Sequence, residues 1–109
     1  MSRRLRESRK YLRLDRSFEV RLHKVGVHAS FAGCTENISQ GGVFIRTKDW
    51  REFREDDQTL LTFYLPPDFT GQEEDIRLLG TACVIRIDRE NEGLGVQFNK
   101  RLRQFERVH

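Results

Sequence analysis

Two short segments carry side chains suited, by kind and by separation, to binding chemistry. Arg9-Lys10-Tyr11-Leu12-Arg13 sets two guanidiniums four residues apart. A guanidinium fork meets phosphate oxygens, or the paired acceptors of a purine edge, two hydrogen bonds at a time. Asn37-Ile38-Ser39-Gln40-Gly41-Gly42 gathers an amide, a hydroxyl and two glycines in one polar turn. The amide and hydroxyl both donate and accept, and glycine lets backbone approach a ligand with no Cβ in the way. Each segment also has a plainer role, the first as a solvated basic tail and the second as a turn that connects strands. Other chemistries lack their residues. Cys34 and Cys83 form no CxxC, and with His23, His28 and His109 they give no metal-ligand spacing. They read as two reduced thiols. Nothing is spaced to activate Ser39 as a nucleophile, and no phosphate loop or dinucleotide fingerprint occurs. Binding without catalysis, metal or cofactor is the chemistry these residues support.

The elements that must position these segments fit in one domain of 109 residues. Eight Phe among spaced Val, Ile and Leu argue against wholesale disorder. No apolar run reaches the length of a membrane span, and no apolar stretch follows the Arg-rich start as a secretory signal requires. The expected location is the cytoplasm. The net charge of +3 conceals an asymmetry: residues 1 to 24 hold nine Arg or Lys against three Asp or Glu, so the remainder is net acidic. Residues 1 to 15 show no sustained period and read as a flexible basic arm.

From Phe18 the pattern alternates. Phe18, Val20 and Leu22 interleave with Glu19, Arg21 and His23, the period of a half-buried strand. Lys24-Val25-Gly26 reads as a hairpin turn, followed by a second strand from Val27 to Glu36 with Val27, Ala29 and Phe31 on one face. A third strand runs over Val43 to Thr47. Asp49 with Glu52 three residues on has the form of a capping box, and the short helical turn it opens would place Trp50 and Phe53 on one side. Thr59 to Leu65 is a fourth strand, ended by Pro66-Pro67, and a polar loop follows. Residues 76 to 88 form a long fifth strand whose apolar phase flips between Val84 and Ile85, the mark of a β-bulge. Leu94, Val96 and Phe98 line a sixth. Phe98, Leu102 and Phe105 fall at the spacing of a short C-terminal amphipathic helix. Six antiparallel strands with short connections predict an all-β fold, a small closed barrel over 16 to 109 with the arm ahead of it.

Taken in order, the RxxxR of the arm and the Asn-x-Ser-x-x-Gly of the turn resemble the signature of the PilZ domain. Gly42-Val43-Phe44-Ile45 is similar to that family's strand after the turn, and Gly93-Leu94-Gly95-Val96-Gln97-Phe98 to its final strand. The resemblance spans about residues 6 to 105. It implies a six-stranded barrel whose arm folds over cyclic di-GMP. Arg9 and Arg13 would meet guanine edges and phosphates, with Asn37, Ser39 and Gly42 on the barrel side. Lys10, Gly41 and Arg46 are secondary candidates, Arg46 because it shares the outward phase of Phe44 and Gly42. The implied function is a receptor or adaptor that changes conformation on binding and signals to an unidentified partner protein. No DNA or RNA partner and no membrane insertion are expected. Two features depart from the pattern. The family's turn more often begins with Asp, whose carboxylate accepts from two guanine donors, whereas Asn37 offers one acceptor oxygen. Ser8 precedes Arg9 at a position where several family members carry Arg or a bulky residue, which leaves the number of bound ligands open. Two other readings stay open: a PilZ-like module that acts by protein contact alone, and a small barrel for single-stranded nucleic acid.

Overall fold

A computed structural model describes residues 16–108. The arm over residues 1–15, with Arg9, Lys10 and Arg13, lies outside them. The alternation that starts at Phe18 becomes β1, Glu19–Lys24, with Val20 and Leu22 fully buried. Gly26 takes a φ of +87° and the Val27 N–H donates to the Lys24 carbonyl at 3.1 Å, so the expected turn forms. β2 begins later than expected, at Ser30–Glu36. The β1–β2 ladder opens at His23↔Ser30, beyond the turn, while on the other edge of β1 Lys24 pairs with Thr59 of the fourth strand and the Val25 N–H donates to the Gln58 carbonyl. Val27 and Ala29 are exposed, and Phe31, Gly33 and Thr35 form the inward side of β2.

β3 is Gly42–Arg46. A single 3₁₀ turn, Trp50–Glu52, then carries Trp50 and Phe53 into the core. Asp49 precedes it but makes no side-chain cap, because the Glu52 N–H already donates to the Asp49 carbonyl. β4, Gln58–Leu65, ends at the prolines as expected. In the polar loop beyond it, Pro67–Thr70 makes one helical turn (α1), closed by Gly71 at a φ of +80°.

β5, Ile76–Asp88, serves three neighbours. Its first part pairs with β4 from Leu65↔Ile76 to Gln58↔Cys83, and its last part pairs with β6, Gly93–Phe98. The strand order β4-β1-β2-β3-β6-β5, with β5 returning to β4, closes a six-stranded antiparallel barrel. The phase flip is a bulge: Val84 pairs with Val96 and Arg86 with Gly95, leaving Ile85 as the extra residue, 53% exposed.

The C-terminal helix expected from Phe98, Leu102 and Phe105 does not form. A 3₁₀ turn at Leu102–Gln104 leads into a seventh strand, β7, Glu106–Val108. β7 pairs with Arg77 to Leu79 on the edge of β5 that β6 does not reach, and those free backbone groups decide against a helix. Phe105 still packs inward. Its ring lies against Gly80, where a Cβ would sit 2.4 Å from it. The sealed interior is filled by Val20, Leu22, Ile45, Leu61, Phe63, Val84 and Leu94, all buried. The buried hydroxyls are satisfied: Thr35 Oγ1 accepts the Phe18 N–H at 2.8 Å, and Thr47 Oγ1 donates to the Ala32 carbonyl at 2.8 Å. No helix of the described residues is long and apolar enough to cross a membrane.

Candidate functional site

The polar turn leaves β2 at Asn37, whose φ of +56° is the left-handed conformation that Asn tolerates better than most residues. Ile38, next to it, is buried and pins the turn to the core. Ser39 then closes the loop. Its N–H and its hydroxyl both donate to the Gly42 carbonyl, at 2.9 and 3.2 Å, and its Oγ accepts the Gly41 N–H at 3.3 Å. The Gly41 carbonyl accepts the Phe98 N–H at 2.8 Å, tying the turn to the end of β6. Gln40 ties it to the C-terminal segment, with its carbonyl accepting the Leu102 N–H and its Oε1 the Arg103 N–H.

These contacts hold Asn37, Ser39, Gly41 and Gly42 at one end of an open groove of about 450 Å³ on the outer face of the barrel. Phe44, Ile85, Arg86, Gly95 and Gln97 also line it. Phe44 of β3, Gly95 of β6 and Arg86 of β5 stand in one row across three strands. Because Gly95 has no side chain, the Arg86 stem lies close over it, and the Arg86 guanidinium reaches the Phe44 ring, 5.7 Å from its centroid. Arg86 Nη1 pairs with Asp88 Oδ2 at 3.2 Å. The Asp88 carboxyl is held below its ordinary value of 3.8, first by the side-chain amide and backbone N–H of Asn91 and then by the Arg86 charge. The described groove lining holds one cation and no acid.

The two glycines have different roles. A Cβ on Gly42 would lie 2.4 Å from the Val96 carbonyl oxygen, so the approach of β3 to β6 requires glycine there whatever binds outside. A Cβ on Gly41 would meet nothing within 4 Å. Arg46 shares the outward phase of Phe44, but its guanidinium is paired with Glu36 at 3.2 Å and does not line the groove. Arg86, which does, was not singled out by sequence reasoning. Its signal was the bulge, which shifts Arg86 out of the inward phase of Ala82 and Val84.

The root of the arm lies beside the strand that feeds the turn. Phe18 and Thr35 exchange hydrogen bonds, Phe18 N–H to Thr35 Oγ1 at 2.8 Å and Thr35 N–H to the Phe18 carbonyl at 2.9 Å. Asn37 is two residues beyond Thr35. Arg16 anchors the same root by pairing with Asp68 at 2.9 Å, its guanidinium 5.6 Å from the Phe18 and Phe69 ring centroids. A second groove, about 480 Å³, is lined by residues 71–75 with Arg77, Arg107 and Val108 and gathers none of the sequence-predicted site residues.

Comparison with known proteins agrees with this architecture. The PilZ domain pattern matches residues 7–108. The PilZ domain of CeSA from a cellulose-synthesising bacterium superposes with a TM-score of 0.61 at 17% identity, over 80% of this chain and 79% of that one. The Bacillus subtilis inhibitor of motility MotI/DgrA superposes with a TM-score of 0.64 at 22% identity, over 93% of this chain and 44% of that one. This chain thus spans less than half the length of the latter, and at these identities the likeness is one of fold. No curated protein matches the chain. With the family pattern covering Arg9 to Arg13, the polar turn and every strand of the barrel, the chain belongs to the PilZ domain family.

Proposed function

We propose that this chain is a cytoplasmic receptor for cyclic di-GMP that passes the binding event to a partner protein and performs no reaction on the nucleotide. The observation that carries this reading is the convergence of Asn37, Ser39, Gly41 and Gly42 on one outward groove whose described lining has a cation and no acid. In this reading Asn37 and Ser39 meet the polar groups of a guanine. Gly41 supplies open backbone beside them. The arm, rooted next to Thr35, brings Arg9 and Arg13 over the ligand from the other side, with Lys10 adding charge. Arg46 is a reserve contact, reached only by exchanging its partner Glu36 for the ligand. Closure of the arm changes the surface around the groove, and that change is what a partner would read.

Isothermal titration tests the reading directly and also reports stoichiometry. Cyclic di-GMP is expected to bind, with GTP and cyclic di-AMP much weaker. Arg13→Ala is expected to weaken binding about ten- to a hundredfold, since a charge-assisted contact to a phosphate or base edge is worth about 1.5–3 kcal/mol. Binding by Arg9→Ala and Arg13→Ala equal to that of the unmodified chain would remove the arm from the site. Amide hydrogen exchange over residues 5 to 15, expected to slow when the nucleotide is added, tests closure separately.

A further inference from the structure

We propose that Arg86 is an additional nucleotide contact, a guanidinium held flat on the barrel wall whose open face stacks on a guanine ring of the bound ligand; this rests on the cyclic di-GMP reading above. The case begins with strand phase. Ala82 and Val84 point inward and are buried, so regular alternation would carry Arg86 into the core as well. The extra residue at Ile85 shifts the phase, turns both Ile85 and Arg86 outward and returns Ile87 toward the core. A bulge disrupts the ladder and is retained where it aims a side chain.

The surroundings of Arg86 then restrict where its guanidinium can lie. The opposing residue is Gly95, whose missing side chain leaves the outer face of the central strand clear; a Cβ there would be 3.5 Å from both Cβ and Nε of Arg86. Glycine within a strand weakens it and often marks close approach of a ligand. Phe44 lies on one side of the guanidinium, and Asp88 takes one of its edges. Asp88 is itself held by the Asn91 backbone N–H at 3.0 Å and the Asn91 side-chain amide at 2.9 Å. With these partners in place the Arg86 side chain is still 59% exposed, and it borders the groove that holds Asn37 and Ser39. A planar cation that packs along the barrel wall yet stays largely exposed is suited to stack on a purine face. The exposed Ile85 beside it adds apolar surface at the groove lip.

The test is titration calorimetry with cyclic di-GMP on the full chain and on Arg86→Ala, Arg86→Lys and Arg54→Ala, the last an exposed arginine outside the groove. Near-ultraviolet circular dichroism reports that each variant is folded. Arg86→Ala is expected to weaken binding about tenfold or more, the size of a partly desolvated cation–π contact. Arg86→Lys, which keeps the charge but loses the plane, is expected to recover little of it, and Arg54→Ala to bind normally. If Arg86→Ala does not fold, the Lys variant, which retains the stem, carries the test. Normal affinity in Arg86→Ala, or full recovery in Arg86→Lys, overturns the stacking contact and leaves the receptor reading intact. No binding by the unmodified chain overturns both.

Discussion

At the scale of single residues, the atoms of the turn divide between those the fold uses and those it leaves open. Ser39 spends its hydroxyl proton on the Gly42 carbonyl, so an oxygen lone pair remains for a ligand donor. The two glycines separate the roles more sharply. Gly42→Ala is expected to destabilise the domain by about 1–3 kcal/mol, because the new methyl overlaps the Val96 carbonyl and one strand must move. Gly41→Ala is expected to leave stability within about 0.5 kcal/mol, its methyl pointing into open space, while lowering cyclic di-GMP affinity. Thermal unfolding and calorimetry on the two variants read these opposite outcomes. Equal stability of both would mean that β3 and β6 are not in close contact at Gly42.

Between the residue and the barrel are the connections, and here the β5–β6 hairpin matters most. Its turn holds Asp88 through Asn91, and Asp88 in turn holds Arg86. Because the folded Asp88 value lies below the ordinary 3.8, its contribution is present above that ordinary value. It is lost only as pH falls through the lowered one. Carboxyl NMR titration is expected to find Asp88 titrating below 3.8 in the native chain and moving up toward it in Asn91→Ala. An unmoved titration in that variant would show that the hairpin does not set the charge state. The C-terminal segment is a second connection. Gln40 takes both the Leu102 and Arg103 N–H groups, so the Asn37–Gly42 turn and the segment leading into β7 share one set of hydrogen bonds.

For the molecule as a whole, closure depends on β5. Its thirteen residues complete the barrel against β4, carry the bulge against β6 and hold β7 on the remaining edge. The seam is packed by a triad of rings: Phe63 lies 6.0 Å from Phe98 and 5.7 Å from Phe105, which are 4.9 Å from each other. Phe63→Ala is therefore expected to cost about 3–5 kcal/mol, a large part of the stability of a small domain. Denaturant unfolding measures it. A loss below about 1 kcal/mol would mean that the seam collapses around the gap.

What the amino-acid order alone determined is local. The inward phase of Phe18, Val20 and Leu22 is written in neighbouring side chains, and so are the stop at Pro66-Pro67, the turn at Gly26 and the flip at Ile85. Each needs only a few consecutive residues to choose between two faces or two φ regions. The Asn37–Gly42 turn was legible for the same reason, through residue types that favour a tight corner. Tertiary structure decided whatever required a distant partner. β2 began three residues late, its ladder to β1 opening only at His23↔Ser30, beyond the turn at Gly26. The C-terminal segment had helical spacing, but the free edge of β5 offered it a ladder. Arg86 could not be joined to Asn37 from the chain order, because only the lateral pairing of Phe44, Gly95 and Arg86 brings them to one wall. Registry between strands so far apart in sequence is set by the closed barrel, and no local propensity encodes it.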